Sequence, residues 1–122
     1  MDEEHVLIVM TSGPDTPRRC ATPFFMATLA AAMDYEVDMF FTIDGGLLLV
    51  KGAADKIYPK QGGRAAGGYL KDALDAGVHF KACTASMELH DLKKEDLIDE
   101  VEMVGGASMW EMADAAKAVV SF

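Results

Sequence analysis

His5-Val6-Leu7-Ile8-Val9-Met10-Thr11 is a short, unbroken apolar run rich in β-branched residues, and Ser12-Gly13-Pro14-Asp15 turns the chain immediately after it. A strand with one wet face alternates apolar and polar residues. A run that is apolar on both faces suits a strand covered on both sides, as in a parallel sheet. Two Thr-Pro pairs follow. A helix opening at Thr16-Pro17 would enclose Pro23 and kink there, so Arg18-Arg19-Cys20 reads as a turn. The main helix then starts at Thr22-Pro23, where Thr can cap and Pro in the first turn forfeits no bond. It runs to about Met33 as PFFMATLAAAM, apolar nearly all the way round. One face can lie on the sheet; the other asks for a partner subunit.

The same alternation continues downstream. Tyr35 to Ile43 (YEVDMFFTI) reads as a second strand, Asp44-Gly45-Gly46 as a turn, and Leu47 to Gly52 as a short helix. Lys51, Lys56, Lys60, Arg64 and Lys71 then stand against one acid, Asp55, around Gly62-Gly63-Arg64-Ala65-Ala66-Gly67-Gly68, a glycine-rich stretch expected to be mobile. Tyr69 to Ala76 is a helix stopped by Gly77. Val78 to Ala82 is a third strand ending at Cys83, and Thr84 or Ser86 caps a helix carrying Met87, Leu89 and Leu92. Lys94 to Asp99 makes another helical stretch and Val101 to Val104 a fourth strand. Ser108-Met109-Trp110-Glu111 matches a capping box, opening a last helix to about Ala118 before an edge strand at Val119 to Phe122. Each connection holds a helical segment, so the strands cannot be hairpins. The expected architecture is a three-layer, doubly wound α/β fold with a mostly parallel sheet.

At 122 residues the chain is one domain's worth, assigned here as a single domain over 1–122. With 51% apolar residues it has material for a sizeable core, so disorder is not expected. Eleven basic residues against 20 acidic ones give a net charge of −9. Nucleic-acid binding, which needs a dominant basic face, drops out. The apolar runs are about half of a bilayer crossing. Met1-Asp2-Glu3-Glu4 is acidic where a signal peptide would be basic. Two cysteines without an export signal point to a reducing, cytoplasmic setting rather than a disulfide framework.

Sites in an open parallel sheet form beyond the carboxyl ends of its strands. Thr11 to Cys20, Asp44 to Gly46, Cys83 to Ser86 and Gly105 to Ser108 fall there. Cys83 is the sharpest feature, because it closes a buried strand just before a helix start, where free amide groups lower a thiol's pKa. The bland alternative is an inert thiol packed as a small hydrophobe. Cys20 follows two arginines and is an auxiliary candidate, with an exposed or packing thiol as the default. His5, His79 and His90 are scattered and no metal-ligand spacing is present, so no metal is assigned. G-x-S-x-G, a Walker loop and G-x-G-x-x-G are all missing, which weighs against a hydrolase and against a flavodoxin-like nucleotide or flavin binder. The nine methionines, Met109 and Met112 among them, read as core and interface filler.

Four stretches together resemble the DsrE/DsrF/TusD-like family of small sulfur-transfer proteins, DsrE type. They are the first strand with Thr11-Ser12-Gly13-Pro14-Asp15; Val37 to Gly45 followed by Leu47-Leu48; Val78-His79-Phe80-Lys81-Ala82-Cys83 with Ser86-Met87; and Val101 to Gly105 with the closing helix and Phe122. The resemblance spans essentially the whole chain. It implies a parallel five-stranded sheet, a cytoplasmic location, a homo-oligomer often built on trimers, and thiol-bearing carriers such as a TusA-like protein as partners. It also implies that Cys83 carries sulfur as a persulfide, with no metal or organic cofactor. Nothing in the family motif maps onto Cys20. A non-catalytic scaffolding or regulatory subunit of a sulfur-relay complex is the alternative, in which the Phe24 to Met33 helix matters and Cys83 is incidental.

Overall fold

The computed structural model describes residues 4–122, so the acidic Met1 to Glu3 lie outside the described residues. Five strands, β1 (His5–Met10), β2 (Glu36–Phe41), β3 (His79–Cys83), β4 (Val101–Val104) and β5 (Ala116–Ser121), form one sheet in the order β4-β3-β2-β1-β5. Every pairing in it is parallel. The helices are α1 (Thr22–Ala32), α2 (Ala66–Asp75), α3 (Thr84–Leu89) and α4 (Gly106–Ala115). From β1 to β4 the chain steps steadily one way across the sheet; β5 then returns to the far side of β1. Crossovers of one hand that travel in opposite directions must use opposite faces. Accordingly α1 and α2 lie on one face, and α4 lies on the other.

The two faces are unequal. The α1/α2 side holds the main core, with Ile8, Met10, Val37, Met39, Phe41, Phe80 and Ala82 of the strands under Phe24, Ala27, Leu70 and Ala73. Phe24, Phe41 and Phe80 meet with ring centroids 5.0–6.0 Å apart, tying α1 to the two middle strands. The α4 side is a smaller apolar cluster of Leu7, Phe40 and Cys83, with Val9, Val104, Met109 and Met112 packed round it. Elsewhere that face is polar: His79 pairs with Glu36 at 3.1 Å and Lys81 with Glu102 at 3.3 Å. Helix α1 buries Pro23, Phe24 and Ala27 but leaves Phe25, Met26, Leu29 and Met33 exposed, so its outer side is uncovered in the single chain.

Several local expectations shift. Thr22 is the first helical residue rather than the cap, which is Ala21 with no side-chain bond. Helix α4 begins two residues before the Ser108 motif. The Ser108 amide already donates to the Gly105 carbonyl at 3.1 Å, so the helix has started and no capping box forms there. It also ends sooner, because Ala116 to Ser121 gains a parallel ladder with β1. Ile43–Leu49 is one 3-10 stretch where a turn and a later helix were expected. Gly67 and Gly68, expected to be mobile, lie inside α2, and a Cβ on Gly67 would strike Asp55.

Two glycines fix how the loops meet at the carboxyl end of the sheet. A Cβ on Gly45 would collide with the Met10 carbonyl, and one on Gly13 with the Asp44 carbonyl. Both obstacles are backbone, which cannot swing aside. Gly45→Ala is expected to cost about 1–3 kcal/mol, read as a lower urea midpoint at unchanged slope.

Candidate functional site

Parallel pairing sets Phe41 beside Ala82. One step further along both strands, Thr42 comes beside Cys83. Alternation along a strand aims both side chains at the α4 face. Cys83 also occupies the cap position of α3 in extended geometry (φ −73°, ψ 123°). Neither Thr84 nor Ser86 caps the helix; Ser86 is buried and turned toward the exit of β2. Burial pushes the Cys83 thiol up, but hydrogen bonds from the Ser86 and Ala85 amides and the Thr42 and Ser86 hydroxyls outweigh it. The pKa is held below its ordinary value. Cys83 remains 8% exposed, whereas Cys20 is sealed at 0%.

The hydroxyl pair can be followed proton by proton. Ser86 Oγ accepts the Ile43 amide at 2.6 Å and lies 3.0 Å from Thr42 Oγ. Each hydroxyl owns one proton. If Thr42 donates to Ser86, Ser86 can donate to sulfur; if Ser86 donates to Thr42, Thr42 can. Either order delivers one O–H to Cys83. On the other side of the same residue, the Ile43 carbonyl lies 3.0 Å from His90 Nε2, which is also 3.4 Å from Asp44 Oδ1. Ile43 itself has φ +54° with its side chain half exposed. For a β-branched residue that backbone costs roughly 1–2 kcal/mol, so it persists only where its surroundings hold it.

Cys20 is placed quite differently. Its thiol donates to the Gly13 carbonyl at 3.3 Å and lies 3.5 Å from the Thr16 carbonyl, fastening the loop after β1. Burial raises its pKa, and Arg18 and Arg19 are exposed rather than turned to it. Lys81 shares a face with Cys83 but is paired with Glu102. In the basic stretch, Arg64 is tied to Asp72 at 2.7 Å and lies 4.7 Å over the Tyr69 ring. The three histidines stay apart: His5 in β1, His79 on Glu36, His90 on Ile43. Among the described residues no three His, Cys, Asp or Glu side chains gather as a metal-ligand set. Linear order does not join Thr42 and Ile43 to the cysteine; strand register does. The spacing of residues 83, 86 and 90 was the readable sign that three functional groups share one helix face.

The fold and its cysteine-bearing rim define a small α/β protein with an all-parallel five-stranded sheet, and comparison makes the family definite. Residues 4–122 match the DsrE/DsrF-like family, and the chain belongs to it. It is 28% identical to the sulfur carrier protein DsrE2 of Allochromatium vinosum, across 93% of this chain and 94% of that protein. An uncharacterized protein of Methanocaldococcus jannaschii, MJ0760, is 26% identical over 84% of this chain, which spans 37% of that longer protein. In three dimensions the YchN protein of E. coli superimposes with a TM-score of 0.81 at 17% identity, covering 98% of this chain and 99% of YchN. MTH1491 of Methanobacterium thermoautotrophicum superimposes at 0.68 with 14% identity, covering 99% of this chain and 100% of that one. No helix among the described residues is long and apolar enough to cross a membrane.

The two thiols are expected to separate cleanly in reactivity. Iodoacetamide at neutral pH should label native protein on Cys83, with the rate falling as pH drops through the lowered thiol pKa and thiolate is lost. Cys20 should label only after denaturation. Peptide mass mapping checks this, and earlier labelling of Cys20 would contradict its packing.

Proposed function

We propose that this protein is a cytoplasmic sulfur carrier that holds sulfane sulfur as a persulfide on Cys83 and passes it between thiol-bearing carrier proteins of the TusA-like kind. The observation that carries the reading is the Cys83 thiol at the open end of β3, where the Ala85 and Ser86 amides and one O–H of the Thr42–Ser86 pair favour its thiolate on a residue still 8% exposed. Family membership and a relative named as a sulfur carrier support it.

The chemistry is thiol–disulfide exchange applied to a persulfide. The Cys83 thiolate attacks the outer sulfur of R–S–SH. A bond forms between Cys83 Sγ and that sulfur, the donor S–S bond breaks, and R–S⁻ leaves with the electron pair. An acceptor thiolate then attacks the same outer sulfur, and Cys83 leaves as thiolate under the same donors. No electrons are gained or lost overall, so no redox partner is called for. Cys20, sealed and protonated, serves the loop rather than the relay.

Intact-protein mass after polysulfide treatment tests the assignment. Wild type and Cys20→Ser should gain whole sulfur atoms, and Cys83→Ser should gain none; normal loading of Cys83→Ser would reject it. The scaffold alternative draws on the exposed apolar side of α1. It would be favoured by unchanged sulfur flux in a Cys83→Ala strain. The same surface borders a groove of about 370 Å³ lined by Val6, Ile8, Met26, Leu29, Met33 and Val120, and it supports the trimer-based assembly implied by family resemblance. Sedimentation equilibrium should give a multiple of 13.1 kDa, with Leu29→Asp shifting it to one chain; a wild-type monomer would remove that part of the proposal.

A further inference from the structure

Ser86 and His90 stand three and seven residues beyond Cys83, so thiol, hydroxyl and imidazole lie along one side of α3 and its cap. That side takes hold of a single residue. The Ile43 N–H donates to Ser86 Oγ at 2.6 Å, and the Ile43 carbonyl accepts from His90 Nε2 at 3.0 Å. The carbonyl can only accept, which fixes Nε2 as the protonated nitrogen. Between these two grips Ile43 sits at φ +54°, a conformation its own side chain opposes. The residue before it, Thr42, carries one of the hydroxyls that reach the sulfur.

We infer that Ser86 and His90 are positioning residues for the Cys83 site, holding both backbone polar groups of Ile43 so that the Thr42 hydroxyl stays over the sulfur. The functional meaning rests on Cys83 being the sulfur-bearing residue, but the clamp is defined by geometry alone. Its consequence is that α3 supplies the cysteine's amide donors and also anchors the loop that supplies the remaining donor from β2. The charged groups nearby are few: Asp44 beside His90 on the loop side, and Lys81 with Glu102 paired on the strand side. Helix α4 brings Met109 and Met112, which do not titrate.

The test follows the alkylation rate of Cys83 against pH in the full chain, resolved by peptide, alongside sulfur loading. His90→Ala should slow alkylation at neutral pH about threefold to fivefold and move the pH midpoint upward, as expected for losing one hydrogen bond. His90→Gln, whose amide N–H can reach the same carbonyl, should stay within about twofold of wild type. Ser86→Ala should slow it about threefold to fivefold as well, since the Ile43 amide loses its acceptor and the Thr42 hydroxyl, though still free to donate, is no longer held in place. A His90→Ala midpoint equal to wild type overturns the inference, as does His90→Gln behaving like His90→Ala. If Ser86→Ala fails to fold, the His90 pair decides. Wild type that keeps a low midpoint yet loads no sulfur refutes the sulfur-carrier reading and leaves the clamp standing; normal loading with an unmoved His90→Ala midpoint does the reverse.

Discussion

The parallel register between β2 and β3 is the constraint on which the site depends. Pairing Phe41 with Ala82 carries the next residues, Thr42 and Cys83, out of the sheet side by side. In a parallel ladder both strands end at the same rim, so the loop leaving one and the helix leaving the other meet there. A slip of β3 by one residue would turn Cys83 into the α1/α2 core and leave Thr42 behind on the α4 face. What holds the register is the apolar set on the opposite face. Phe41 and Phe80 are locked with Phe24 at 5.0–6.0 Å, and none of the three is more than 2% exposed. The chemistry on one face is therefore fixed by packing on the other.

How far this was legible in the chain follows from the same physics. The run HVLIVMT announced a strand covered on both faces, and β1 is an interior strand, flanked by β2 and β5. Cys83 at a strand-to-helix junction was legible too, because strand and helix patterns change at that residue. The partners of the thiol were harder to see. Thr42 lies 41 positions upstream and becomes a neighbour only through register, and Ile43 in a left-handed conformation violates the local preference of its residue type. Local rules also misplaced the start of α4. Ser108 and Glu111 have the spacing of a capping box, but an extended Gly105 lets the helix begin earlier. The glycine-rich stretch misled for a related reason: composition reports freedom, whereas Gly67 and Gly68 are ordered inside α2, with Asp55 packed against Gly67.

Coverage of the sheet is lopsided, and this bears on how the molecule meets others. Helices α1 and α2, with Met87 of α3 and a long connection, close one face, while α4 alone lies on the other. Apolar residues on the second face are gathered where α4 can reach them, and paired charges occupy the rest, so a third helix there is not needed. The unmatched apolar surface lies instead at the outer side of α1 and the open edge of β5, where Phe25, Met26, Leu29, Met33, Val119 and Val120 are all more than 40% exposed. Patches of this kind on small proteins mark contact surfaces. Of the two parts of this surface, the β5 edge lies beyond β1 from β3, and the α1 part lies on the sheet face opposite the one toward which Cys83 points.

The contrast between the two thiols shows what burial alone does and what it leaves to the donors. Cys20 and Cys83 are both removed from most solvent, and desolvation by itself disfavours a thiolate at each. Cys20 meets carbonyl oxygens, which accept and so favour S–H; Cys83 meets amides and hydroxyls, which donate and so favour S⁻. The donors at Cys83 are all neutral, because the one nearby lysine on its face is spent on Glu102. That choice suits a relay. Nucleophilicity falls as thiol pKa falls, so a cation pressed against the sulfur would make a good leaving group and a poor attacker. A proposed carrier must do both, attacking when empty and leaving when loaded. Dipoles that stabilise the anion moderately, held in place by a strained but clamped loop, meet that double requirement better than an ion pair would.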